Sequence, residues 1–486
     1  MTGDLSIPPA EDTTASESRG VWDSVRKLAD ASERERARNT TARESRSSNR
    51  VFWNFSIMQL QVAFSKGTLG LEVPDGHPFQ VLNSATAKPL PDPVAAIEAG
   101  LDDPAAGPPL ASIADGKHSA AISVCDITRP APNAIVLPPL LRKLEAAGIP
   151  RENISILIAT GLHRAATEAE IRQIVGSETA TEYRVLNHDA RRRDRHRHLG
   201  RTRSGTPVWI DERFIRADLH ITLGFIEPHL MLGFSGGRKL IAPGLAAQET
   251  ITELHSPRFM RDPRAAEGSL EDNPLHAELL EIASIARHDF LIDVALTRDR
   301  RIAAVFAGEP QAAHRAGVEW VRSSQLQVLD EPVDAVITSG GGYPLDLTFY
   351  QSIKGITAAS HIVRPGGRIL LMGACEEGLG GPEFQDMMTK YPSDAEFLRG
   401  IERAPVTIDQ WQLEKLALVT REKEVLYYLP GVPAESHRHF WGRLFTKPEQ
   451  AVSALFAGLR PSARIAVIPE GPYVLANVCL APVGRT

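Results

Sequence analysis

The amino-acid sequence predicts an α/β fold: two α/β domains on largely parallel sheets, with the active site in the cleft between them. Three observations predict it. Short apolar runs alternate with segments of helical apolar spacing. The alternation occurs in two separate stretches of the chain. Polar clusters stand immediately after several apolar runs, where ligands collect in parallel sheets. At 486 residues the chain is also too long for one ordinary domain.

Residues 1–50 are rich in Ser, Thr, Glu, Arg and Asp and poor in large apolar side chains. They cannot bury enough surface to offset their ordering entropy, so a flexible N-terminal extension is expected. Globular patterning begins at Val51. Ala120–Cys125 reads as a buried strand followed by Asp126-Ile-Thr-Arg-Pro130, and residues 137–147 show helical spacing closed by Gly148 and Pro150. Ile154–Ala159 is a second buried strand that runs into Thr160-Gly-Leu-His-Arg164, after which Thr167-Glu-Ala-Glu170 has the form of a capping box. A third strand, 218–225, leads to Glu227-Pro-His-Leu230. All three strands thus deliver polar groups at the same end: Asp126 and Arg129, His163 and Arg164, and His229.

Residues 308–327 read as a connecting helix. The run 335–339 is a new buried strand before Gly340-Gly-Gly-Tyr-Pro344, and 366–372 is a turn plus strand. The domains are therefore set at 51–320 and 331–460, and the strand-like run 464–469, within 461–486, is a candidate to rejoin the first. No internal repeat is visible.

Composition narrows the function. A formal charge of −6 argues against nucleic acid, which needs an excess of Lys and Arg on one face. The basic run 191–198 is short, contains Asp194 and lacks interleaved aromatics, so it reads as a solvated loop. No apolar run approaches the roughly 20 residues of a membrane span, and no N-terminal apolar signal is present. The three cysteines, Cys125, Cys375 and Cys479, show no CxxC spacing, which points to a reducing compartment and a cytoplasmic protein.

The most informative segment is Gly233-Phe-Ser-Gly-Gly-Arg-Lys239. Ser235, Gly236 and Gly237 would present backbone N–H groups to a phosphate, with Arg238 and Lys239 neutralising it. The spacing is not that of a Walker A loop, and a surface turn with two solvated cations is the plain alternative. His229 lies ten residues before Lys239 and His255 sixteen after it. Imidazoles serve as metal ligands and as acid/base groups near neutral pH. A helix cap at His255 and a turn at His229 are the corresponding structural readings. Tyr350 and Lys354, spaced i,i+4 on one helix face, would otherwise be ordinary helix surface.

Taken together, Pro228-His229, Gly233 to Lys239, Pro243-Gly244 and His255 resemble the signature of the nickel-dependent lactate racemases. Asp126-Ile-Thr-Arg-Pro130, Thr160-Gly-Leu-His-Arg164, Tyr350-Gln-Ser-Ile-Lys354 and Asp409-Gln-Trp411 match further motifs in the same order. The resemblance covers about residues 51–486. It implies a racemase or epimerase of a small 2-hydroxy acid, and a nickel pincer nucleotide: a pyridinium mononucleotide with two sulfur-containing arms, joined covalently to Lys239 through a thioamide. It implies His255 as the Ni(II) ligand, His163 and His229 as the two acid/bases, and hydride transfer from C2 to the cofactor. Arg129 and Lys354 would anchor the substrate carboxylate, with Tyr350 and Gln351 as hydrogen-bond partners. Asp126 would orient Arg129 or contact the cofactor, and Trp411 would border it. Cofactor-synthesis enzymes are the implied accessory partners.

Three other readings are distinguishable. Epimerisation of a larger 2-hydroxy acid, of aldonate or malate type, would use the same chemistry with different pocket residues. An NAD-dependent dehydrogenase would need Gly-x-Gly-x-x-Gly after a strand, and the clusters at 340–342 and 366–367 lack that spacing. A cofactor-binding protein without turnover would bind the nucleotide yet exchange no C2 hydrogen.

Overall fold

The computed structural model describes residues 59–74, 76–83 and 87–478, so the expected 1–50 extension and Cys479 lie outside the described residues. After an antiparallel hairpin of Gln59–Phe64 with Gly67–Glu72, a short strand, β1 (Phe79–Val81), comes before the first large sheet in the chain. That sheet is formed by β2 (Ala120–Cys125), β3 (Ile154–Ala159), β4 (Arg184–Asn187), β5 (Leu219–Phe225), β6 (Phe290–Leu296) and β7 (Ile302–Gly308), in the spatial order β7-β6-β5-β2-β3-β4. Every pairing in it is parallel except β6 with β7. The second sheet contains β8 (Val333–Ser339), β9 (Val363–Met372), β10 (Glu424–Tyr428), β11 (Arg443–Phe445) and β12 (Ile465–Ile468), in the order β11-β10-β9-β8-β12-β1 and parallel throughout.

The strands β2, β5, β8 and β12 are buried at every residue, as expected where both faces of a parallel sheet are covered. Helix α1 (Asn133–Ala146) packs Val136, Leu137, Leu140, Leu141 and Leu144 onto one face of the first sheet. It starts four residues before the periodic run because Pro138 and Pro139 lie inside it and disguise its first turns. Ile251 and Leu254 of α2 (Gln248–Leu254) belong to the apolar cluster on the other face. On the second sheet, α3 (Phe349–Ser360) and α4 (Gln410–Thr420) bury Phe349, Ile353, Ile356, Leu413, Leu416 and Ala417 in one core. Each fully buried Leu, Ile or Phe contributes roughly 1.5–3 kcal/mol of transfer free energy.

Two assignments are corrected. The run 464–469 does not rejoin the first sheet: β12 pairs with β8 and β1 in the second. Nor does the segment before residue 83 belong wholly with the first unit, since β1 forms the edge of that same second sheet. An all-apolar strand carries no label of its partner; the register with β8 is decided by tertiary packing. No helix of the described residues is long and apolar enough to cross a membrane.

Candidate active site

A cavity of about 760 Å³ opens at the carboxyl ends of β2, β3 and β5 and is closed by α3 and α4 from the second sheet. Asp126, Arg129, His163, His229, Ser235, Gly236, Lys239, His255, Tyr350, Gln351, Lys354 and Trp411 all line it. Residues up to 285 positions apart meet here because parallel strands stack their outgoing loops on one edge.

Asp126 follows β2 directly and is buried, with its side chain 6% exposed. His163 Nδ1–H donates to Asp126 Oδ2 at 2.7 Å, and the Thr128 hydroxyl donates to Oδ1 at 2.7 Å. Burial pushes the Asp126 carboxyl up, but His163, Arg129 and Thr128 outweigh it and hold it at about 2. The carboxylate therefore fixes the His163 tautomer and leaves Nε2 facing outward as an acceptor. Asp126 was expected on Arg129 or on a cofactor; its hydrogen bond goes to His163.

His229 sits in a two-residue bridge, Pro228–His229, paired with Gly233–Phe234. Its Nδ1 receives only long contacts from the Met231 and Leu232 N–H groups, at 3.5 and 3.4 Å, too long to fix the tautomer. Burial, then Lys239, Lys354 and Arg129, drive its proton affinity well below that of an ordinary histidine.

The loop before Lys239 is held from beneath. Gly236 has φ +87°, and a Cβ there would run into the Asp293 carboxylate. Arg238 and Gly237 do not line the cavity. The Arg238 guanidinium instead donates to the carbonyls of Leu232 (3.2 Å), Phe234 (3.0 Å) and Gly236 (3.3 Å), and lies 2.7 Å from His314 Nε2. A buried cation takes the nearest unpaired carbonyls, which are those of its own loop, so Arg238 clamps the loop rather than reaching a phosphate. The Ser235 hydroxyl is likewise engaged, donating to Phe225 O at 2.8 Å and accepting from Glu227 N–H at 2.9 Å.

Lys239 lies on the single 3-10 turn Gly237–Leu240. Burial, reinforced by Arg129, lowers its amine to about 7, so a large share is neutral near neutral pH. His255 ends α2, and its Nδ1–H donates to Ile251 O at 2.7 Å, leaving the Nε2 lone pair free. Burial lowers its imidazole to about 4. The Trp411 ring covers it with centroids 4.2 Å apart, and Trp411 Nε1–H donates to the Tyr350 hydroxyl at 3.0 Å. Gln351 Oε1 is buried without a hydrogen-bond partner. Among the described residues no three His, Cys, Asp or Glu side chains gather to hold a metal.

Sequence reasoning missed several neighbours. Arg191, read as part of a solvated loop, borders the cavity and donates to Leu162 O at 3.2 Å. His196 and His198 of that run stay outside it. Asp409, with φ +66°, lines the cavity beside Tyr350; its place in Asp409-Gln-Trp411 was the one available signal. Glu227, which follows the third strand, does not line the cavity but favours the charged form of Lys239.

Comparison with known proteins gives a consistent picture. The family model described as lactate racemase N-terminal domain matches residues 64–268, and the lactate racemase C-terminal domain matches 328–476. The lactate racemase of Lactiplantibacillus plantarum is 34% identical over 385 residues, 78% of this chain and 90% of that protein. That of Thermoanaerobacterium thermosaccharolyticum is 32% identical over 434 residues, 86% of this chain and 99% of that protein. The solved structure of the latter's apoprotein superposes with a TM-score of 0.80 at 30% identity, covering 86% of this chain and all of that one, 100%.

Proposed function

Because the chain belongs to the lactate racemase family, we propose that it interconverts the two C2 configurations of a lactate-type 2-hydroxy acid in this cavity. One observation carries the reading: two imidazoles, the basic side chains of Arg129 and Lys354 and the buried Lys239 amine converge on one space with a further imidazole whose Nε2 is free.

These residues fit a nickel pincer nucleotide held by Lys239 and His255. The amine of Lys239 is neutral enough to form a covalent bond, and a single free imidazole nitrogen suits a metal whose other donors arrive with the cofactor. When bound, that group supplies a hydride acceptor, so C2 can pass through the planar 2-oxo acid instead of a carbanion.

The protein's own part is to bind the acid and move the hydroxyl proton. Arg129 and Lys354 take the carboxylate, Arg in the bidentate geometry its guanidinium favours. Gln351, which lines the same cavity, adds a hydrogen bond from its Nε2–H to the substrate. His163, with Nδ1–H committed to Asp126, takes the hydroxyl proton on Nε2. His229, kept neutral by burial and neighbouring cations, serves the opposite orientation and releases its proton readily. Trp411 over His255 excludes water while the oxo acid is present.

The test uses protein produced together with cofactor-synthesis enzymes and supplied with one enantiomer of C2-deuterated lactate. Interconversion with deuterium retained at C2 is expected; no interconversion, or complete washout into solvent, overturns the reading. Intact mass should show a cofactor adduct that Lys239→Ala abolishes. Because the Lys239 amine is protonated as pH falls through about 7, adduct formation should drop on the acid side, by ~10-fold per pH unit. An adduct retained in Lys239→Ala would remove the tether.

A further inference from the structure

We infer that Lys415 and the Arg261–Glu414 ion pair are positioning groups for the metal end of the cavity: they dock the face of α4 that carries Trp411 onto the segment following His255, and so hold the indole against the imidazole. This rests on the nickel-ligand role of His255 proposed above.

Trp411, Glu414 and Lys415 recur at i, i+3 and i+4, so α4 presents all three along one face. Their partner is a short stretch from the first part of the chain. His255 ends α2, a helical turn follows at Pro257–Met260, and Arg261 caps that turn. Ring and polar contacts join the two. The rings of Trp411 and His255 have centroids 4.2 Å apart at an interplanar angle of 42°. Arg261 Nε–H donates to Glu414 Oε1 at 2.7 Å, and another guanidinium N–H donates to Leu398 O at 2.8 Å. The Lys415 amine donates to Met260 O at 2.9 Å and to Ala265 O at 2.8 Å. Apolar packing divides α4 the same way. Trp411 is buried with Leu254, Phe259 and Met260 in the cluster on the first sheet, whereas Leu413, Leu416 and Ala417 lie in the core of the second.

A ring contact alone is a poor locator, because two apolar faces slide over one another with little loss. Polar ties have strict lengths and directions. The Glu414 side chain is 0% exposed, so its carboxyl has no water to fall back on and keeps its place opposite Arg261. Met260 ends its helical turn, where carbonyls lack intrahelical donors, and Lys415 supplies one. These ties stand one turn along α4 from Trp411 and fix its distance from the end of α2. The indole edge is held separately, by the Trp411 Nε1–H bond to Tyr350 on α3. His255 is anchored at Nδ1 by Ile251 O, so α2 sets one edge of its ring and Trp411 covers a face. Releasing the dock removes that cover and loosens the direction of the Nε2 lone pair, which a metal ligand must keep.

The test uses the full chain labelled with 5-fluorotryptophan, as apoprotein and as holoenzyme, and compares Lys415→Met, Arg261→Met and Lys415→Arg with the wild type. The fluorine resonances of Trp411 and Trp320 are assigned by the line that disappears in Trp411→Phe and in Trp320→Phe. In both Met variants the Trp411 line of the apoprotein should move or broaden, while that of Trp320, which packs in a different apolar cluster, stays in place. The Met holoenzymes should release nickel to a chelator ~10-fold faster, the size expected for losing a group that orients a ligand. Lys415→Arg keeps a cation with N–H donors and should recover most of both effects. Either Met variant carries the test alone should the other fail to fold. An unmoved Trp411 line, or nickel released at the wild-type rate, in a folded Met variant overturns the proposal, whatever happens to its melting temperature. A wild-type chain that takes up no nickel with its cofactor would instead sink the ligand reading of His255, and the apoprotein resonance then decides the docking by itself.

Discussion

His163 stands 39% exposed with its Nδ1–H donated to an ionised carboxylate, whereas His229 is buried near Lys239, Lys354 and Arg129 with only long backbone contacts. They emerge from the loops after β3 and β5, the two parallel strands that flank β2 in the first sheet, and both face the same cavity. Residue type therefore supplies a proton carrier twice, and the neighbours make two different ones. Asp126 sets a tautomer at one wall; burial and positive charge keep the ring neutral at the other. A racemase must treat two mirror-image substrates, but an L-polypeptide cannot build mirror-image walls. Unequal walls that perform one task are the physical outcome.

The comparison can be broken most forcefully by removing either ring. His163→Ala and His229→Ala should each lower turnover at least ~100-fold, as for loss of a general acid/base. Measuring each enantiomer separately sharpens it: a variant that still racemises at near wild-type rates would remove that histidine from the mechanism. Next comes the partner that makes the walls unequal. Asp126→Asn should cost about 10- to 100-fold in kcat, since an amide no longer dictates the His163 tautomer. An unchanged kcat would show that the carboxylate is dispensable to the ring. The smallest effect is expected at Tyr350→Phe, which deletes the hydroxyl that accepts from Trp411. The same hydroxyl is hydrogen-bonded to Asp409, and with each such bond worth about 1 kcal/mol KM should rise by about 5- to 30-fold with little change in kcat; a much larger loss of kcat would mean that the hydroxyl takes part in proton transfer.

Much of this is legible in the sequence. The strands 120–125 and 154–159 were read to the residue because their limits are local: an unbroken apolar run and a polar cluster. The Thr167–Glu170 capping box is present with both reciprocal hydrogen bonds, another interaction decided within four residues. Motif order singled out fourteen candidate residues, and twelve of them line one cavity. The two exceptions, Gly237 and Arg238, fail for one reason: the sequence shows a cation in a glycine-rich loop but not which way it points.

By itself, then, the chain's order of residues determined where strands and caps form, which loops carry chemistry, and which lysine and histidines belong together. Those features depend on period, local hydrogen bonding and spacing along the backbone. Tertiary structure alone decided that β12 and β1 join the second sheet, that Arg238 turns inward, and that Asp126 pairs with His163. Each of these depends on groups far apart in the chain, where burial, charge and a partner's position are set by packing.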